Sequence, residues 1–180
     1  MRFLGQPPER GVRKSRPARA LILCLLVLAA SGAHAQDTLR DPFSAAKWEM
    51  FKRSSMSGRL VYVRGNVGLR ALKDRQRYGY RAGFVVKLKN PNSFGLPTTD
   101  EAEELAPVEN EIDRGMEKGR LAFMALVITT TGMREYVFYT DQPEAVRKRV
   151  AQLKRGIRGR EVQTYVTADP GWDIYERFTQ

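Results

Sequence analysis

Apolar positions along the second half of the chain alternate between strand spacing and helix spacing. Within residues 80–90, Ala82, Phe84, Val86 and Leu88 recur at every second position, and the charged residues lie mostly between them. This period of two predicts a half-buried strand. Two later segments instead place apolar residues on one helical face. These faces consist of Leu105, Val108, Ile112 and Met116, and of Val146, Val150, Leu153 and Ile157. Segments 121–130, 134–140 and 161–168 predict three further strands, the first two joined as a hairpin.

Capping residues predict where both helices begin. Thr98 and Glu101 have the spacing of a capping box, and Asp141 followed by Pro143 indicates the second helix start. Pro107 lies inside the first helical pattern, where it removes a backbone hydrogen bond at a cost of about 3 kcal/mol. Two alternatives follow, namely one helix that tolerates the proline or a short turn followed by a second helix.

The order from residue 80 is strand, helix, strand, strand, helix, strand. This order predicts an α+β, ferredoxin-like (βαββαβ) sheet with two helices on one face. Segments 47–54 and 58–67 predict an extra N-terminal β-hairpin. Because 121–128 is apolar on both sides, we expect either this hairpin or the C-terminal tail to cover that strand. In the tail, Trp172, Tyr175 and Phe178 lie three apart and predict a packed helical turn.

The first 35 residues have the features of a secretory signal peptide. A basic flank precedes eleven apolar residues and a small-x-small site, which predicts cleavage after Ala35. Eleven residues rise only about 16 Å as a helix, too little to span a bilayer. We therefore expect an exported protein, periplasmic or extracellular, with no transmembrane span after cleavage. A flexible leader (36–46) and a single domain (47–180) would follow.

Cleavage would remove both Cys24 and His34, the only cysteine and the only histidine. A chain without them has no thiolate nucleophile, no imidazole base and no histidine or cysteine ligand for zinc. The net charge would fall from +11 to about +6, because the segment carries six basic residues and one acidic residue. We therefore predict no catalytic residue, no metal and no cofactor.

An acidic stretch, 94–113, interrupts this basic chain. Most of its carboxylates fall in the first turns or on the outer side of the predicted helix, where they need no catalytic explanation. Glu109 falls on the flank of the buried face, so it should be paired with a cation or donor. A structural glutamate paired with an arginine and an acid–base or ligand-orienting group are both open. The stretch lacks the spacing of a calcium loop.

Basic residues cluster at 147–160 and at 70–81. An acidic helix beside a basic one would be stabilised by mutual pairing, which explains much of both charge runs. The alternative is a polyanion patch for an envelope polymer or lipid head groups, formed by Arg75, Arg77, Arg155, Arg158 and Arg160. Tyrosines beside the second cluster are typical of nucleic-acid binding, but export argues against nucleic acid as the partner.

Several motifs occur in one order along the chain: Trp48 with Phe51, "GLPTTDEAEEL" with "VENEI", "TTTGMREYVFYT" and "DPGWDIYERF". Together they resemble the bacterial family known as domain of unknown function 695, from residue 48 to 178. The resemblance implies an α+β fold related to the type B regulator of ribonuclease E activity. It also implies a protein-binding module rather than an enzyme, although export is at odds with a role in regulating that ribonuclease.

The leading functional hypothesis is a non-enzymatic exported domain that binds a protein or an envelope component. Its predicted binding residues are Trp48, Gly95, Leu96, Pro97, Glu109, Trp172 and Tyr175. The competing interpretation of these aromatic residues is core packing. A third hypothesis is a carboxylate-based hydrolase that pairs Glu109 with Asp169 or Asp173 across a cleft.

Overall fold

The computed structural model describes residues 41–45, 47–54 and 58–180, all of which belong to one compact unit spanning 36–180. The predicted signal peptide and the first part of the predicted leader lie outside the described residues. No helix within these ranges has both the length and the apolar character needed to cross a membrane.

Within the described residues, six antiparallel strands form a single sheet in the order β1-β2-β4-β5-β3-β6. The strands are β1 (Trp48–Ser54), β2 (Leu60–Asn66), β3 (Tyr80–Lys87), β4 (Phe123–Thr130), β5 (Met133–Thr140) and β6 (Val162–Ala168). The N-terminal hairpin pairs with β4 through β2, which confirms that the doubly apolar segment is not a bare edge. The sheet is therefore wider than the four strands that the βαββαβ pattern alone requires.

Three α-helices in the described part of the chain complete the α+β fold: α1 (Thr99–Glu117), α2 (Pro143–Gly156) and α3 (Asp173–Thr179). α1 runs unbroken past Pro107, whose side chain is exposed, so the single-helix alternative is the right one. Thr98 caps α1 by accepting a hydrogen bond from the Glu101 N–H at 3.3 Å. The second capping prediction is wrong in detail, because Gln142 rather than Asp141 is the N-cap residue of α2.

The sheet carries a hydrophobic core on each face. The first core packs α1 and α2 against one face. The apolar residues predicted to alternate are buried there, namely Ala82, Phe84 and Val86 in β3 and Leu88 directly after it. The second core lies on the opposite face and includes Val63, Leu69, Phe123, Tyr139 and Trp172. β4 contributes to both cores, which explains why its sequence is apolar on both sides.

Aromatic stacking organises the second core. The Trp172 ring stacks on Tyr139 with centroids 4.0 Å apart and meets the edge of Tyr175 at 5.3 Å. Trp172 has a left-handed backbone (φ 59°) at the start of α3, which turns the chain so that the indole points inward. The indole N–H donates to the carbonyls of Arg75 and Tyr78, at 3.0 and 3.2 Å.

The predicted flexible leader is corrected for residues 41–45, which pack against the domain. Phe43 meets Phe123 edge to face at 5.5 Å. The Asn66 side chain donates to the Ala45 carbonyl at 2.7 Å, and Asp41 forms an ion pair with Arg120. An aromatic side chain in an otherwise polar segment was the signal for this packing.

Candidate functional site

A groove of about 310 Å³ lies between the N-terminal hairpin and α1. It brings together residues from distant parts of the chain, namely Met50, Tyr62, Arg64, Leu96, Pro97 and Glu109. Three of the predicted binding residues are therefore neighbours here, although up to 13 positions separate them in sequence.

Strand alternation explains why the hairpin side chains face this groove. Met50 lies opposite Arg64 in the β1–β2 register, and Tyr62 shares the face of Arg64 two residues away. Trp48, also predicted, lies next along the same face of β1. The Arg64 guanidinium is 5.1 Å from the centroid of the Trp48 ring, a cation–π contact that joins this tryptophan to the groove.

Glu109 forms an ion pair with Arg64 at the centre of the groove. The Glu109 side chain is 18% exposed and that of Arg64 is 39% exposed, so the pair is in partial contact with solvent. This confirms the interpretation of Glu109 as an arginine-paired glutamate on the flank of the buried face. Arg64 itself was missed, although its position two residues after Tyr62 placed it on the groove face.

Asp113 lies one helical turn beyond Glu109 and was also missed by the sequence reasoning. Burial, together with the nearby charges of Glu117 and Glu109, raises the pKa of the Asp113 carboxyl to about 6 despite the opposing charge of Arg64. Its buried Oδ1 has no hydrogen-bond partner in the described structure, and neither does the buried Nε of Arg64. The i, i+4 spacing from Glu109 was the available signal.

Gly95 does not line the groove but fixes the turn that does. Its φ is +74°, and a Cβ there would lie 2.9 Å from the Thr131 Cα. The Gly95 carbonyl accepts a hydrogen bond from the Gly132 N–H at 2.8 Å. This close approach to the β4–β5 turn holds Leu96 and Pro97 at the end of the groove.

The predicted surface that joins Trp48 to Trp172 and Tyr175 is not formed. Trp172 is 1% exposed and Tyr175 is fully buried in the second core, on the face of the sheet opposite the groove core. Their place in the fold is core packing, the competing interpretation. The three-residue spacing predicted the packed turn but carried no information about which face of the sheet it covers.

The carboxylates proposed as a hydrolase pair are separated by the sheet. Asp169 accepts from the Tyr139 hydroxyl at 2.8 Å in the second core, and it also accepts from the Asp173 N–H at 2.9 Å. Glu109 lies on α1, against the other face. Within the described ranges, no three histidine, cysteine, aspartate or glutamate side chains are grouped as a metal site.

The five arginines of the predicted polyanion patch do not lie together, and Arg160 is not on the surface. Its side chain is 3% exposed and forms an ion pair at 2.9 Å with Glu101, which is equally buried. Burial opposes ionisation of Glu101, but the Lys89 and Asn90 N–H groups and Arg160 outweigh it and lower the pKa of this carboxyl. Glu101 was predicted to lie in the first turn of the helix as part of a capping box, but its burial against Arg160 was not predicted.

The other patch residues occupy two different regions. Arg75 forms an ion pair with Glu176, and Arg77 donates to Asp141 at 2.8 Å. Arg155 and Arg158 are exposed at and beyond the end of α2, without a hydrogen bond or ion pair to any described residue. These cations therefore form no single surface.

Comparison with known proteins gives one match. No curated protein matches the chain, and no solved structure does. A family of unknown function, DUF695, matches residues 46–179, which includes the groove, both cores and all six strands. The chain therefore belongs to the family of unknown function DUF695.

Proposed function

We propose that this protein is an exported, non-enzymatic binding domain whose groove holds an extended segment of a partner protein beside β1. The observation that carries the proposal is the position of exposed apolar side chains along an open sheet edge. Met50 is 67% exposed and Trp48 is 37% exposed, and both lie on the groove face of this edge strand.

The backbone of β1 supports an extended partner. β1 pairs with β2 on one side only, and no other described strand pairs with it. An extended peptide can add to such an edge by main-chain hydrogen bonds, while alternate side chains enter pockets beside it. The groove beyond Met50 supplies such a pocket, ending at Leu96 and Pro97.

The positive charges on this edge strand indicate which chemical groups the partner carries. Lys52 and Arg53 follow the apolar pair on β1, and cations on an edge discourage two copies from pairing with each other. They favour a partner that combines apolar residues with carboxylates.

We also propose that residues 80–168 form a ferredoxin-like unit onto which the hairpin is added. The element order β3-α1-β4-β5-α2-β6 supports this, as does the packing of both helices in one core. The added hairpin creates the groove, because β1 and β2 extend the sheet beyond the edge of α1. The relation of the fold to a protein-binding module, implied by the family resemblance, points the same way.

Site-specific photo-crosslinking tests the binding proposal. A benzophenone amino acid replaces Met50 in the protein expressed in its host, and cross-linked products are identified by mass spectrometry. Met133 is the matched control, because it is also an exposed strand methionine, at 39% exposure, but lies outside the groove. We expect a defined protein adduct from position 50 that is absent from position 133.

The effect of a substitution beside Met50 supplies the second criterion. Trp48→Ala should reduce the position 50 adduct at least fivefold while leaving the urea unfolding midpoint nearly unchanged. Equal labelling from both positions would show that the groove is not the binding surface. An adduct that contains glycan or lipid but no peptide would replace the protein partner with an envelope component.

A further inference from the structure

A second concave surface, on the side of the sheet away from the groove, carries an excess of positive charge. The concavity measures about 480 Å³, and Arg70, Lys73 and Arg75 lie around it. Gln76, Leu72, Trp172 and the Pro170–Gly171 turn complete its lining. We propose that this basic concavity binds a phosphate group.

The loop that carries these cations is held rigidly. Leu69 and Leu72, which alternate with the cations in sequence, are buried in the second core. The Trp172 indole N–H binds the Arg75 carbonyl, as described above, and so ties the loop to α3. A backbone fixed in this way presents its cations without a large ordering cost on binding, which favours a specific site over a solvated loop.

The charges at the concavity are only partly neutralised. Arg75 is held by Glu176 and lies over the Trp172 ring, with its guanidinium 5.7 Å from the centroid. Arg70 and Lys73 are exposed, and neither forms an ion pair within the described part of the chain. Burial opposes ionisation of Glu176, but Gln180, Arg75 and the charge of Arg70 together lower its pKa, so it stays an anion and leaves a surplus of cations.

The chemistry of these groups favours phosphate over a single carboxylate. An arginine fork donates two parallel hydrogen bonds to phosphate oxygens, and a lysine ammonium adds a point charge. A phosphate dianion can therefore engage Arg70 and Lys73 together while Arg75 keeps its bond to Glu176.

The concavity is larger than one phosphate, so the group can be free or attached to a larger molecule. Two arms distinguish these sources with the purified protein. One arm titrates inorganic phosphate and pyrophosphate by calorimetry. The other measures sedimentation with vesicles that contain an anionic phospholipid, compared with vesicles of neutral phospholipid only.

A matched pair of double variants tests the site itself. Arg70→Ala with Lys73→Ala removes two charges from the concavity, and Arg155→Ala with Arg158→Ala removes two exposed, unpaired charges elsewhere. Both variants have the same net charge, so long-range attraction changes equally. We expect the first variant to weaken binding at least tenfold in whichever arm binds, and the second to weaken it less than twofold.

Each outcome decides the proposal. Binding of phosphate or pyrophosphate assigns a soluble ligand, and binding of anionic vesicles alone assigns a lipid head group. Equal weakening by the two double variants would show that net charge rather than the concavity is responsible, and would overturn the site. Failure of both arms at millimolar phosphate and at 0.1 M salt would overturn it as well. Urea unfolding of each variant confirms that the fold is retained.

Discussion

Replacing Arg160 with alanine should destabilise the domain strongly, because it leaves Glu101 buried without its cation. Both side chains are only 3% exposed, and the guanidinium donates at 2.9 Å to Glu101 and, through its other nitrogen, to Glu104. Removing one partner of a buried ion pair costs about 3–5 kcal/mol. Glu101 keeps two backbone N–H donors and Glu104 is 56% exposed, so we expect the lower end, about 3 kcal/mol.

The cost should depend on pH in a defined direction. The pKa of Glu101 is lowered in the folded state, so its pairing stabilises the fold above the unfolded pKa of about 4.3. That contribution is lost as the pH falls through the lower folded pKa. The difference between wild type and Arg160→Ala should therefore be largest near pH 7 and should shrink below about pH 4.

Urea unfolding at pH 7 and pH 3.5, followed by tryptophan fluorescence, measures both effects. Arg155→Ala is the matched control, because this arginine is exposed and unpaired, and we expect it to change the unfolding free energy by less than 0.5 kcal/mol. Adding Glu101→Gln to Arg160→Ala should recover part of the loss, since no charge then stays buried. A loss below 1 kcal/mol for Arg160→Ala, or one as large for Arg155→Ala, would refute the reasoning.

Four further substitutions can be tested by urea unfolding. Asp113→Asn should stabilise the protein by about 1–2 kcal/mol at pH 8 but not at pH 4. The folded pKa of Asp113 is about 6, so the wild type loses stability as the pH rises from the unfolded pKa of about 3.9 to that value. A benefit at both pH values would contradict this origin. Trp172→Ala should cost about 3–5 kcal/mol through the cavity it leaves, whereas Trp48→Ala should cost under 1 kcal/mol, and similar losses for both would contradict the assignment of core and surface. Gly83→Ala should cost about 1–3 kcal/mol, because its Cβ would lie 2.2 Å from the Tyr165 ring; a loss under 0.5 kcal/mol would show that the ring moves aside freely.

Part of the candidate site could be predicted from local sequence alone. Glu109 was placed on the flank of the buried face because helical spacing sets which side chains face the core. The turn at Leu96 and Pro97 was recognised by its composition, and the structure brings both to the groove. Arg64 and Asp113 were missed. The role of Arg64 depends on Glu109, which lies on another element, and the pKa of Asp113 depends on its burial and on Glu109 one helical turn away.

Glu101 shows why the rest could not be predicted. Its position in the first turn of α1 favours a carboxylate, but this position does not determine whether the carboxylate is solvated or buried. Its burial depends on two N–H groups about 11 residues upstream and on an arginine 59 residues downstream. Local sequence patterns do not indicate which charged residues, distant in the chain, will form an ion pair.

The amino-acid sequence by itself determined the elements and the α+β class, because burial on one face imposes a period of two on strands and 3.6 on helices. It also determined that β4 is covered on both faces, since both sides of that strand are apolar. Only the tertiary structure decided that Trp48 borders a groove while Trp172 fills the opposite core, and that Arg160 is buried while Arg155 is exposed. The physical reason is that the face of the sheet a side chain reaches, and the charge it meets there, depend on contacts between residues far apart in the chain.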